Sequence, residues 1–297
     1  MNGPVRFRFS HSVWRDGSRE GVAGAAGAPL YAATASVIEA IRLGRSPRDF
    51  DPSPEDELAT ELASGGGTIL LLAPVATELA DLWDAGNRAV RSALLRVASA
   101  QAAESQGRSA DGLAAARRAI DRLERFPDER LARAAAHSTL GRLSDLVSDY
   151  ESGRAAFRTA FDLAPTDRAE GRAVAAAAAV GLGEILRRQG NQREALVQLE
   201  HGLRLSREAR TPRVEAAAQH AIGWVRWAEG SPDAARTAYA AAIRTYRAAG
   251  DPGGAAGTVA AQAWDEWSRG NYDKASAGLA EALAVHRETS DRRPLSE

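Results

Sequence analysis

Residues 224–235 read WVRWAEGSPDAA, and residues 264–275 read WDEWSRGNYDKA. Trp224, Trp227, Gly230, Asp233 and Ala235 return 40 residues later as Trp264, Trp267, Gly270, Asp273 and Ala275. A fixed period of this size, built from helix-forming residues around a small turn, marks a stacked array of helix pairs. Working outward, small residues stand at Ala100, Gly141, Gly183, Gly223 and Ala263, at intervals of 41, 42, 40 and 40. Seven residues after the last three comes a turn glycine: Gly190, Gly230, Gly270. Gly107 and Ser148 hold that place in the first two units.

Each turn leads into a second helix with its own small residue, at Ala119, Ala160, Gly202, Ala242 and Ala282. Three residues earlier stand Phe157, Leu199, Tyr239 and Leu279, with Ala116 the exception in the first unit. Small residues let two antiparallel helices approach, and the larger ones fill the gap to the next pair. Helix starts are expected where this register needs them. Asn191 with Glu194 and Asp167 with Glu170 have capping-box spacing, and Thr211-Pro212 and Ser231-Pro232 pair an N-cap residue with a first-turn proline. Gly250-Asp251-Pro252-Gly253 separates the last two units.

The segment before the array reads differently. VRFRFSHSVW alternates Val5, Phe7 and Phe9 against Arg6, Arg8 and Ser10, which predicts a strand, and Asp16-Gly17 predicts a hairpin turn. Residues 1–27 are thus a strand, hairpin or flexible segment. Residues 28–84 form a helical extension, with helices expected over 29–43 and from Ser53-Pro54 to about Ala63. Residues 85–288 hold the array, and 289–297 are a polar tail. The expected fold class is all-α: a right-handed solenoid of about five helix–turn–helix units, preceded by a short strand or hairpin and two or three extra helices.

Composition narrows the function. The chain has 297 residues, 38 basic and 39 acidic, for a net charge of −1. That balance gives no global field for nucleic acid or an anionic membrane. With no cysteine, disulfides, thiolate metal sites and a cysteine nucleophile are excluded. The run from Ile69 to Val75 is far shorter than the roughly 20 residues of a membrane span, and no signal peptide is visible, so a cytoplasmic protein is expected. Lys274 is the only lysine in an alanine- and arginine-rich chain, a usage that points to a high-GC bacterial genome. The five histidines show no metal-ligand spacing, and Gly65-Gly66-Gly67-Thr68 lacks the lysine of a phosphate loop. No metal or cofactor and no catalytic group are expected.

TLGRL…DYESGRAAFRTAFDLAP (139–165) and GLGEILRRQGNQREALVQLEHGL (181–203) resemble tetratricopeptide (TPR) repeats. The likeness covers about two thirds of the chain. Its period, near 40 rather than 34, is similar to that of elongated TPR units of bacterial regulatory proteins. Gly153 and Gly202 stand where the family has alanine, and the first unit is degenerate. The resemblance implies a concave groove, lined by one face of each first helix, that holds a protein or peptide segment. Carried over by position, that face comprises Arg142 and Asp145, then Glu184, Arg187 and Arg188, then His220, Trp224 and Trp227, then Trp264 and Trp267. The implied groove is arginine-rich in the middle and aromatic toward the C-terminal end. Tryptophan and arginine dominate binding hot spots, and Arg187 with Arg188 suits a carboxylate or phosphate. The expected partner is a segment with a bulky apolar anchor beside an acidic group.

Two plainer readings stand beside this one. Tryptophans at i, i+3 also suit packing against the next helix, and arginines before a turn also suit the negative end of the helix dipole. The function expected is a non-enzymatic adaptor or regulatory module. The alternative is a small-molecule sensor or unusual enzyme, its pocket lined by the tryptophans and closed by the N-terminal segment. An open groove favours the first; a sealed cavity favours the second. Self-association through the N-terminal strand or the C-terminal repeat is a third expectation.

Overall fold

Helices stack in pairs because each buries one face against its turn partner and the other against the next pair. The computed structural model describes residues 107–291 and part of the stretch 93–103. The N-terminal strand, the helices expected before residue 85 and the polar tail lie outside the described residues. Nine helices follow residue 107: α1 Ser109–Leu123, α2 Arg130–Leu146, α3 Tyr150–Leu163, α4 Ala169–Arg188, α5 Gln192–Ala209, α6 Pro212–Ala228, α7 Pro232–Ala248, α8 Pro252–Ser268 and α9 Tyr272–Asp291. The described residues between 93 and 103 are helical and stand where the partner of α1 belongs. No strand occurs among the described residues. The architecture is a right-handed TPR-like α-solenoid. Helices of 14 to 20 residues carry the extra length in α2 to α9.

Every turn expected inside a unit is present, with one backbone geometry. Gly107, Gly190, Gly230 and Gly270 have φ between 72° and 81°, and Ser148 takes the same left-handed conformation at φ 62°. The residue after each sends its N–H back five residues to close the turn: Asp149 to Ser144 at 2.8 Å, Asn191 to Leu186 at 2.9 Å, Ser231 to Arg226 at 2.9 Å, Asn271 to Glu266 at 3.0 Å. These are Schellman closures. Two of the turns between units, at Arg210 (φ 57°) and Gly250 (φ 66°), repeat the device. Asn191, Thr211 and Ser231 sit at N-caps without a side-chain capping bond. Asp149 and Asp251 do cap, accepting from Ser152 N at 3.2 Å and Gly254 N at 2.8 Å. The expected Asp167–Glu170 box is not formed. α4 starts behind an extended Arg168, and Arg172 braces that loop by donating to the Thr166 and Asp167 carbonyls.

The small and large residues mesh as the period requires. A Cβ on Gly141 would stand 2.8 Å from the Phe157 ring, one on Gly183 2.6 Å from Leu199, and one on Gly223 2.4 Å from Tyr239. Each large residue of a second helix therefore presses on the backbone of its own first helix. It is then closed from the far side by the next unit: Phe157 by Gly181, Tyr239 by Ala261. Gly153 is equally tight, facing Ile185 of the next unit at 2.7 Å. Leu279, expected to fill the same gap, is instead 40% exposed, because among the described residues no first helix follows α9.

First helices also touch first helices: α2 meets α4, α4 meets α6, and α6 meets α8. Successive second helices make no comparable contact. The first helices therefore line the inner, concave side of the array. No helix among the described residues is long and apolar enough to cross a membrane.

Candidate functional site

The concave face is set by the same register. Arg142, Glu184, Trp224 and Trp264 follow the crossing residues by one position, and Asp145, Arg187, Trp227 and Trp267 by four. One helical turn separates the two rows, so each pair lies on one face of its first helix.

In the middle of the array the charges are paired within the chain. Arg187 donates to Glu184 Oε2 through Nη2 at 2.8 Å and through Nε at 3.3 Å. Arg188 lies 3.4 Å from Asp145 Oδ1 and 3.8 Å from Glu184 Oε2, which ties α4 to α2. Burial pushes the Asp145 carboxyl above the usual carboxylate range, and Arg188 offsets part of that. Arg142, half-buried, sits one unit before Glu184 on α2. Arg187 also lies over the indole of Trp224, 5.7 Å from its centroid, a cation–π contact. The arginines thus brace the first helices α2, α4 and α6 against one another.

Toward the C-terminal end the face is aromatic. Trp224 and Trp227 meet edge to face with centroids 5.7 Å apart, and Trp264 and Trp267 repeat the arrangement at 5.7 Å. Their burial differs. Trp224 packs against the Ala235–Tyr239–Ala261 cluster and is partly buried. Trp264 and Trp267 are 51% and 54% exposed, and Trp227 is also exposed. The tryptophans are therefore a surface feature with one member rooted in the core.

His220 lies one turn before Trp224. Its Nδ1 is 3.1 Å from Thr258 Oγ1, and that hydroxyl already donates to the Gly254 carbonyl at 2.9 Å. With that hydroxyl's proton directed at Gly254, Nδ1 is the donor in this contact. Burial holds its pKa below the ordinary value; Glu184 raises it and Arg187 lowers it further.

Beneath the tryptophans lie two groups that reading the sequence by motif passes over. Asp265 is 1% exposed, at the register position where the earlier units bury Leu143, Ile185 and Val225. Arg269 donates to its Oδ1 at 3.1 Å, while Oδ2 has no hydrogen-bond partner. Tyr239 is fully buried, and its hydroxyl also has no partner. Burial pushes the Tyr239 phenol far up, and the nearby Asp265 charge pushes it further. Superposing the units at their own period would have exposed Asp265 as the charged residue in an apolar column. Among the described residues no cluster of histidine, aspartate and glutamate is suited to a metal ion.

No family model matches the chain, and no curated protein matches it. Solved structures do match in fold. A Rap protein in complex with competence and sporulation factor superposes with a TM-score of 0.63 at 15% identity, over 88% of this chain and 74% of that one. The apo form of RapI gives 0.57 at 11% identity, over 87% and 73%. BtubC (BKLC) from P. vanneervenii gives 0.56 at 15% identity, over 77% and 93%. At such identities the likeness is one of architecture, and it agrees with the helix pairs, turns and interlocking residues described above. The chain has the fold of a TPR-like helical repeat protein.

Proposed function

We propose that the chain is a non-enzymatic adaptor or regulatory module that holds a protein or peptide segment along its concave face, anchored on Trp227, Trp264 and Trp267. One observation carries this reading. Three of the largest apolar side chains, Trp227, Trp264 and Trp267, stand exposed at repeating positions of the first helices α6 and α8, while Tyr239, of comparable size, is fully buried on α7. Exposed tryptophans gathered on one face suit a binding anchor, since their burial by a partner removes much apolar surface from water. The Rap protein of the same fold, solved with competence and sporulation factor, adds support by analogy. The exposure of Trp264 and Trp267 favours an open groove and an extended segment over an enclosed small molecule.

The test is selection of displayed peptides on the full chain, followed by affinity measurement against the Trp264→Ala/Trp267→Ala variant. Affinity should fall by roughly tenfold or more, as for loss of a hot spot. The thermal melt should move little, because both side chains are more than half exposed. Peptides that bind the variant as well as the wild type would move the interface off this face. A variant that unfolds would return the tryptophans to the core.

A further inference from the structure

The junction between α7 and α8 breaks the apolar rule of the array twice in one place. Where the preceding units put Phe157 and Leu199, this unit puts Tyr239, whose hydroxyl reaches past the point where phenylalanine ends. Where they put Leu143, Ile185 and Val225, the next puts Asp265. Both are buried, 0% and 1% exposed, and neither the Tyr239 hydroxyl nor Asp265 Oδ2 has a hydrogen-bond partner. A buried oxygen without a partner is costly, and a carboxylate oxygen more so than a neutral one. An aliphatic residue at 265 would complete the column as its three counterparts do.

The position of the pair points to the groove. The Tyr239 ring lies across Gly223, and the two groove residues that flank that glycine both touch it: His220 at 6.0 Å and Trp224 edge-on at 6.3 Å between centroids. The tyrosine ring therefore sits against His220 and Trp224, and the buried Asp265 directly follows Trp264 on α8. Arg187 and Arg188 are already engaged, the first with Glu184 and the second with Asp145 and Glu184. Asp265 has given one oxygen to Arg269 and keeps the other. The unmet need at this end is thus for a hydrogen-bond donor, best a positively charged one, and indole faces favour the same charge.

We infer that the niche formed by Asp265, Tyr239 and Trp224 receives a lysine or arginine side chain of the segment bound in the groove. The inference rests on the groove reading above and fixes the sign of the partner's charge. It reverses the acidic partner that Arg187 and Arg188 suggest when read without their ion pairs. The cation meets Asp265 Oδ2, the oxygen that Arg269 leaves without a partner.

The test uses labelled 11-residue peptide pools. The central residue is fixed as lysine, arginine, leucine or glutamate, and the flanks are randomised among uncharged residues. Binding to the full chain is followed by fluorescence anisotropy. The lysine or arginine pool should bind roughly tenfold tighter than the leucine and glutamate pools, the scale of one charge-assisted contact. Asp265→Val should abolish that preference while keeping or raising the thermal midpoint, since valine fills this place at Val225. Tyr239→Phe should weaken the preference in part. A ranking with glutamate first, or a preference that survives Asp265→Val, overturns the inference and leaves Asp265 as an internal partner of Arg269. Pools that bind without charge preference, yet are weakened by Trp264→Ala/Trp267→Ala, overturn the inference and keep the groove. Pools that ignore the tryptophan pair, or no binding at all, overturn both.

Discussion

At position 148 a serine holds the left-handed conformation that glycine holds at 107, 190, 230 and 270. An L-residue pays about 1–2 kcal/mol for that backbone, and glycine avoids most of it. Ser148→Gly should therefore raise stability by roughly 0.5–1 kcal/mol in urea denaturation. Arg210→Gly, at φ 57°, should act in the same direction. The converse is clean at Gly190, where an added Cβ would meet nothing within 4 Å. Gly190→Ala should cost about 1–2 kcal/mol from the backbone alone. A second consequence at this scale concerns protons. His220, His137 and His201 all have pKa values held below the ordinary 6.5, with burial the largest cause in each. The unfolded chain therefore takes up protons first as pH falls below about 6.5, so stability is complete above that pH and is lost as pH drops toward the folded values. The urea midpoint should be lower at pH 5.5 than at pH 7.5, and His220→Gln should lessen the fall.

Between elements, the decisive contact is a second-helix side chain wedged between two first helices. Gly223→Ala would place a methyl 2.4 Å from the Tyr239 ring, which Ala261 closes from the other side. The ring has nowhere to go, and overpacking should cost about 1–3 kcal/mol. Combining Gly223→Ala with Tyr239→Leu should cost less than the two changes summed, since leucine at 199 fills the same place with fewer rigid atoms. A double-mutant cycle reads that coupling directly. This interlock was legible in the sequence because the period repeats it: glycine or alanine at the crossing, a large apolar residue opposite, a turn residue seven positions on. Ser148 was legible for the same reason, as a place in a column rather than as a residue type. Leu279 was not, because its column predicts burial and only the absence of a following first helix among the described residues exposes it. The tryptophan rows were legible as a face, but i, i+3 spacing does not say whether a face looks inward or outward. Asp265 was hidden by its company: in a chain that is 26% charged, one more aspartate reads as surface until it is set beneath Leu143, Ile185 and Val225.

Across the described helices, the substantial contacts run between neighbouring units, so stability is close to a sum of unit and interface contributions. α9 shows the consequence. Leu279 and Leu283 are 40% and 49% exposed, whereas Leu199, at the place of Leu279, is fully buried. Fewer apolar contacts mean a smaller free energy of local opening. Amides of α8 and α9 should therefore exchange with deuterium faster than those of α4 and α5, which are covered on both sides. The proposed groove anchors, Trp264 and Trp267, sit on that same weakly held unit. A segment bound across α6 and α8 would add contacts to a unit whose large side chains stand exposed, and a ligand stabilises the state it binds. A peptide selected on the full chain should thus slow exchange most in α8 and α9 and least in α4 and α5. Uniform slowing would mean the array opens as one cooperative body. Protection confined to α2 and α4 would place the bound segment on the ion-paired middle of the groove, away from the tryptophans.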